Sequence, residues 1–410
     1  MDTERTGAHP RRRVAQRDAP PPGGGPADQD FTAAQRARGR ALRRATSPWA
    51  LGGRLAGLAL SLLLALTHAG AGLVTAAGAM FGGGRTAQVL AGTTALVLLG
   101  QALRLPFGAR VRAVRVRYGL VTQGWGGWAA DVLRGLGLTL VLALPAALAV
   151  FALTGRSPER WWLPAAAAAA LLTAALSFLF PLVVEPVFNR FTPMAPGPLR
   201  EALLELAARD RVRVREVLVA DASRRTSALN AYVSGFGATR RIVAYDTLLD
   251  TAEPSEVELV VAHELGHVKH RDVTTGTLLG AVGAAVAVCL LGLITAWGPL
   301  LSAAGADSAA DPRVLPLLAG GAALIGALSG PLQCAVSRRI EARADRHALE
   351  LTGDTARFIA MQRRLAVANV ADVDPPRLLE LLFATHPSTV RRIAAARAWQ
   401  AAPGHRPRSG

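Results

Sequence analysis

The chain has 410 residues, 51% of them hydrophobic and only 18% charged, with a formal charge of +17. So apolar a balance sets it apart from most soluble proteins and, with its long apolar runs, places it in the membrane class. The cations are arginines, Lys269 being the single lysine. They cluster beside apolar spans, which is membrane topology and not a nucleic-acid face, so membrane lipid is an expected partner and nucleic acid is not.

Residues 1–48 are rich in Pro, Gly, Arg and Asp without sustained periodicity, and read as a disordered basic tail. No signal-peptide core stands near its start. The segment 49–190 holds four apolar runs, at 55–80, 86–107, 133–153 and 162–184. Each is long enough to cross ~30 Å of hydrocarbon. His68, inside the first run, is an ionisable group at membrane depth and so a functional candidate. The plainer reading, a neutral imidazole bonded to a neighbouring helix, is preferred. Cys289 and Cys334 fall in or beside apolar runs and read as small buried hydrophobes, with no disulfide framework.

Residues 191–277 form the first part of a catalytic domain. Positions 199–208 are periodic like a helix, and 214–220 and 241–245 alternate like strands. Between those strands, SALNAYVSGFG at 227–237 suggests a further strand with Asn230 at its tip, able to take a substrate peptide by strand addition. Then comes VVAHELGHVKHRD, in which His263, Glu264 and His267 spell HExxH. On a helix, residues four apart share a face, so both imidazoles can serve one metal ion, with Glu264 placed to deprotonate a water there. Neutral imidazole suits Zn²⁺. Ser255 with Glu258 reads as a capping box beside Pro254. Gly266 costs about 1 kcal/mol of helix propensity, which fits a close-packed neighbour.

A hairpin of two more spans, 278–301 and 314–332, occupies 278–333, and the catalytic domain resumes over 334–401. SRRIEARADRHALEL reads as a helix after the last span, with Glu341 and Asp345 on one face. A final helix opens at THPSTVRRIAAARAW, with His386 just before Pro387, and 402–410 reads as a second disordered tail. With the N-terminus inside, Arg110, Arg112, Arg115 and Arg117 fall inside, while the loops of Arg85, of Arg156 and Arg160, and of Arg313 fall outside. Both termini and the HExxH site are then cytoplasmic, in the cell membrane.

HExxH needs a third protein ligand, commonly a Glu from a later helix. Two spans separate His267 from Glu341, and an even number of crossings returns the chain to the face it left. His270 and Glu350 point away on their own helices, and Asp272 lies beyond the helix turn. Asp345, one turn after Glu341, can then accept the second N–H of a zinc-bound imidazole.

These features together resemble the type I CAAX prenyl endopeptidases, integral-membrane zinc proteases. The matching residues are LPF at 105–107, YG at 118–119, Trp128, Asp131, FNRFTPM at 188–194 and SALNAY at 227–232. HELGH at 263–267, SRRIEARAD at 337–345, HP at 386–387 and Arg392 complete the set. The resemblance implies one Zn²⁺ on His263, His267 and Glu341, with Glu264 as general base. It also implies that Asn230 and His386 contact the substrate or the reacting carbonyl, with Arg392 supporting. The implied fold is a mainly α polytopic membrane protein: about six transmembrane helices enclose a chamber, beside a cytoplasmic zincin-type α+β catalytic domain.

Two departures stand out. Family members usually have seven spans where six are counted here, and the position before Arg392, often acidic, is Arg391. The expected activity is cleavage of membrane-associated or hydrophobic protein substrates, CAAX-like ends included. A heat-shock-type membrane protease fits less well, because four spans precede HExxH. A scaffold or transporter with a decayed site fits less well too, because every catalytic role is filled.

Overall fold

A computed structural model describes residues 29–180, 183, 185–235 and 237–402. Segments 1–28 and 403–410, read above as tail, lie outside these. The described chain begins earlier than the sequence suggests: helix α1 runs over Ala33–Ala65, so residues 29–48 are not a disordered tail. Thr32 caps it, Gln35 N–H donating to the Thr32 hydroxyl at 3.2 Å and Thr32 N–H to the Gln35 carbonyl oxygen of the side chain at 3.0 Å. Phe31 is buried against Ala366, Val373, Val390 and Ile393. Arg397 holds buried Asp30 through two hydrogen bonds of 2.6 and 2.9 Å, and Arg43 pairs with Asp372. With so few apolar residues of its own, this stretch shows no periodicity; its anchors come from the far end of the chain.

The first apolar run is not one helix. α1 stops at Ala65, and α2 covers His68–Ala79. The break is tight enough that a Cβ at Gly70 would lie 2.1 Å from the Leu64 carbonyl oxygen, which only glycine avoids. His68 opens α2 with its side chain against Gly305. It makes no hydrogen bond or ion pair among the described residues, so it packs on a loop and is not bonded to a neighbouring helix.

Helices α3 (Arg85–Arg117), α4 (Trp125–Arg156) and α5 (Trp162–Leu179) follow. A four-stranded sheet comes next, with α6 (Pro198–Arg209) after its first strand. Its strands are β1 (Phe191–Pro193), β2 (Glu216–Ala220), β3 (Ala231–Ser234) and β4 (Arg241–Tyr245). The order is β1-β2-β4-β3, with β2 and β4 parallel and the outer pairs antiparallel. The stretch carrying SALNAY therefore does supply a strand, and it is an edge. β1, hidden in FNRFTPM, is too short for an alternating pattern to reveal.

α7 (Pro254–Lys269) carries HExxH, α8 is Asp272–Ala296, and α9 is Leu315–Thr352. α10 (Thr355–Ala368), α11 (Arg377–Phe383) and α12 (Thr389–Ala401) complete the fold. Among the described residues six helices are long and apolar enough to cross a membrane, those of α1, α3, α4, α5, α8 and α9. α9 corrects the sequence reading in one respect. It runs unbroken from its apolar half into the catalytic domain, about 57 Å at 1.5 Å per residue, so Glu341 and Asp345 ride on the membrane helix itself. The catalytic core gathers one face of α6, the sheet, α7 and α10 around Leu203, Val217, Ile242, Val261, Leu265 and Phe358. A cavity of about 980 Å³ lies between α1, α3, α9 and α11. Trp49, Phe107, Ala327, Pro331 and Phe383 help to line it, and it reaches Thr385, beside His386.

Candidate metal centre

α7 starts at Pro254, whose missing N–H costs nothing at a first turn. Its start is closed by Glu256, which accepts from the Glu253 N–H at 3.0 Å; this pair, and not Ser255 with Glu258, forms the box. Val257, Val260, Val261 and Leu265 are buried on the core side. Gly266 meets α9 as its sequence suggests, since a Cβ there would stand 3.1 Å from His347 Cβ and 3.2 Å from Ala344 Cα. That contact lets α9 lie close enough to α7 to share a site.

Where the two helices meet, donor atoms of His263, His267 and Glu341 all lie within 4.8 Å of one another. His263 Nε2 is 3.2 Å and His267 Nε2 3.7 Å from the Glu341 carboxylate. Glu341 Oε2 is buried and, although imidazole nitrogens lie nearby, makes no hydrogen bond of proper geometry. Two imidazoles, one carboxylate and an unspent buried oxygen fit a divalent metal of the zinc type.

Further side chains predicted for the site surround the trio or lie on the neighbouring sheet. Asp345 Oδ1 approaches His263 Nδ1 at 2.9 Å, and Arg392 grips the same carboxylate with bonds of 2.7 and 2.5 Å. His386 Nε2 lies 3.2 Å from Glu341 Oε2, and its Nδ1 is 2.9 Å from the Thr385 hydroxyl. Glu264 is half-buried beside the trio, with no ion pair or hydrogen bond on its carboxylate among the described residues. Asn230 is exposed just before β3, its backbone carbonyl accepting from Tyr245 N–H at 3.0 Å. Arg391 pairs with buried Glu380 at 3.2 Å, so the unusual cation of the final helix has its own anchor on α11.

Burial works against charge throughout. It raises the Glu264 carboxyl above its ordinary range, and Glu341 adds to this against the opposing pull of His263 and His267. Burial by itself would depress His263, but Asp345 and Glu341 outweigh it and lift the imidazole to about 9. For His386 burial prevails and lowers the value, with Glu341 opposing and Arg392 reinforcing.

Sequence reasoning missed one carboxylate. Asp272, set aside as lying beyond the helix turn, accepts from His267 Nδ1 at 3.0 Å and pairs with Arg343 on α9. Arg271, at φ 55°, turns the chain sharply enough to bring Asp272 back over His267. The available signal was the spacing of five residues after His267, at the start of a span.

A membrane helix bundle carrying an HExxH helix and a Glu from a later helix defines a membrane-embedded metalloendopeptidase. Comparison with known proteins agrees. Peptidase family M48 matches residues 195–400, and the CAAX prenyl protease N-terminal region, described by five membrane helices, matches residues 12–190. An uncharacterised metalloprotease of Bacillus subtilis, YhfN, is 30% identical over 313 residues, 76% of this chain and 73% of that protein. CAAX prenyl protease 1 of Saccharomyces cerevisiae is 28% identical over 235 residues. That match covers 53% of this chain and 51%, about half, of the yeast protein. The crystal structure of S. mikatae Ste24p superposes with a TM-score of 0.81 at 19% identity, covering 92% of this chain and 91% of that one, which establishes a common fold. The chain belongs to peptidase family M48, among the CAAX prenyl endopeptidase-like membrane metalloproteases. Of the five helices α1 to α5 over this region, α1, α3, α4 and α5 are long and apolar enough to cross a membrane, and α2 is a 12-residue helix.

Proposed function

We propose that this chain is a zinc-dependent endopeptidase that cleaves membrane-associated or hydrophobic polypeptides, CAAX-like C-termini among them, at the cytoplasmic face of the cell membrane. One observation carries the substrate class: an apolar cavity framed by membrane helices reaches Thr385, whose chain neighbour His386 stands 3.2 Å from the candidate ligand Glu341. Such a cavity suits an apolar segment arriving from the bilayer.

His263, His267 and Glu341 would hold the ion, which when bound supplies Lewis-acid polarisation and a water acidified toward neutrality. Glu264, its carboxylate without a hydrogen bond or ion pair among the described residues and raised by burial, takes the proton from the attacking water and passes it to the leaving amine. His386 donates from Nε2 to the carbonyl oxygen as charge develops there. Arg392 acts through Asp345, whose carboxylate steadies the His263 ring. Edge strand β3 offers its free backbone groups to the peptide, with Asn230 at its entrance. Incubating detergent-solubilised enzyme with a casein or prenylated CAAX peptide, with and without chelator, tests the reading. Cleavage that is unaffected by chelation and zinc would overturn it.

His386→Ala is expected to lower kcat about 10²-fold with zinc retained, as loss of an oxyanion donor does. Loss of zinc instead would make His386 a ligand or a structural prop.

Orientation has its own check. A reporter fused beyond Arg392 should behave as cytoplasmic, and reporters near Ser157 and Ser308 as external, following the arginine asymmetry. Protection of a tag near Ser308 from an impermeant label in intact cells would refute this arrangement.

A further inference from the structure

The His263 side of the site rests on a chain of contacts through Asp345 to Arg392. His267 has a matching support from different elements. Its Nδ1 bonds to Asp272 Oδ2 at 3.0 Å, while the other oxygen of Asp272 pairs with Arg343. Asp272 is buried at 7% exposure and is the first residue of α8; Arg343 lies on α9, two residues after Glu341. A carboxylate oxygen at Nδ1 is matched by a ring N–H there, which leaves Nε2 on the side of the Glu341 carboxylate, 3.7 Å away. A carboxylate in this relation to a ligating imidazole fixes both its tautomer and its rotation.

We infer that Asp272, held in place by Arg343, is a positioning residue that orients His267 toward the metal and ties the site to the membrane hairpin of α8 and α9. The inference rests on the metal-centre reading above. It gives the continuity of α9 a purpose, since the same helix supplies a ligand, Glu341, and the cation that steadies the support of another. The left-handed Arg271 is then the device that delivers Asp272, a strained turn placed beside a functional group.

The test measures zinc affinity by chelator competition on purified full-length protein, with thermal unfolding recorded in parallel. Asp272→Ala should weaken zinc 10–100-fold, the range seen when such a support is lost. Asp272→Asn keeps shape and an acceptor oxygen, so it should fold normally, fall between Ala and wild type, and alter the visible spectrum of the cobalt-substituted protein. Arg343→Ala should weaken zinc less than Asp272→Ala and add nothing in the double variant, because its effect passes through Asp272. Zinc affinity of Asp272→Ala within threefold of wild type would overturn the inference, as would an unchanged cobalt spectrum for Asp272→Asn or additive losses in the double variant. If wild type itself held no zinc, the metal-centre reading would fall and this inference with it.

Discussion

Glu264→Gln is expected to abolish turnover in a protein that still folds and still binds metal. Glutamine matches glutamate in size, and Glu264 makes no ion pair or hydrogen bond among the described residues that its loss would break. What it would remove, on the proposed mechanism, is the proton acceptor. Loss of a general base costs typically 10²–10⁴-fold, and loss of its hold on the attacking water would add to this. Burial raises the carboxyl, with Glu341 adding to it, which brings its basicity closer to what proton transfer near neutral pH requires. Residual cleavage of casein or a model peptide above a tenth of wild type would exclude Glu264 as the base. Comparing membrane-protein fragments in cells carrying wild type and this variant would also reveal natural substrates.

Glu341→Ala should purify with little zinc, whereas Asp345→Ala should bind zinc at saturating metal and work poorly. The two carboxylates share a helix face one turn apart, but their surroundings differ. Glu341 lies against Nε2 of both histidines and keeps a buried oxygen unspent. Asp345 approaches His263 at Nδ1 through Oδ1, and the fork of Arg392 holds both of its oxygens. On the proposed assignment, removing the first would take away a ligand, and removing the second would take away a ligand's support, typically 10–100-fold in affinity or activity. Asp345→Ala also strands Arg392 beside the site without its carboxylate, and breaking a buried pair from one side costs about 3–5 kcal/mol. Its unfolding temperature should therefore fall, and Asp345→Asn separates that effect from metal binding. Metal analysis of the purified variants decides the matter, and the reverse pattern would exchange the two roles.

Much of this protein is written in local patterns, because its chemistry and its solvent both leave local marks. The HExxH spacing needs only the pitch of one helix to bring His263 and His267 together. Apolar runs of twenty residues follow from the thickness of a bilayer, and even the meeting of Glu341 with HExxH follows from counting crossings. The features that escaped depend on residues distant in sequence or on a single backbone angle. Residues 29–48 look like tail because Phe31 and Asp30 are buried by partners more than 300 residues away. The first apolar run hides a break, because hydropathy continues through Leu66 and Thr67 while the backbone does not. Asp272 was set aside because a helix wheel says nothing of a left-handed turn. The residue types and their spacing determined which metal chemistry this chain carries and that it sits in a membrane. Only the tertiary structure decided which carboxylate steadies which histidine, since that choice depends on how α7, α8, α9 and α12 pack, and packing joins residues that no periodicity relates.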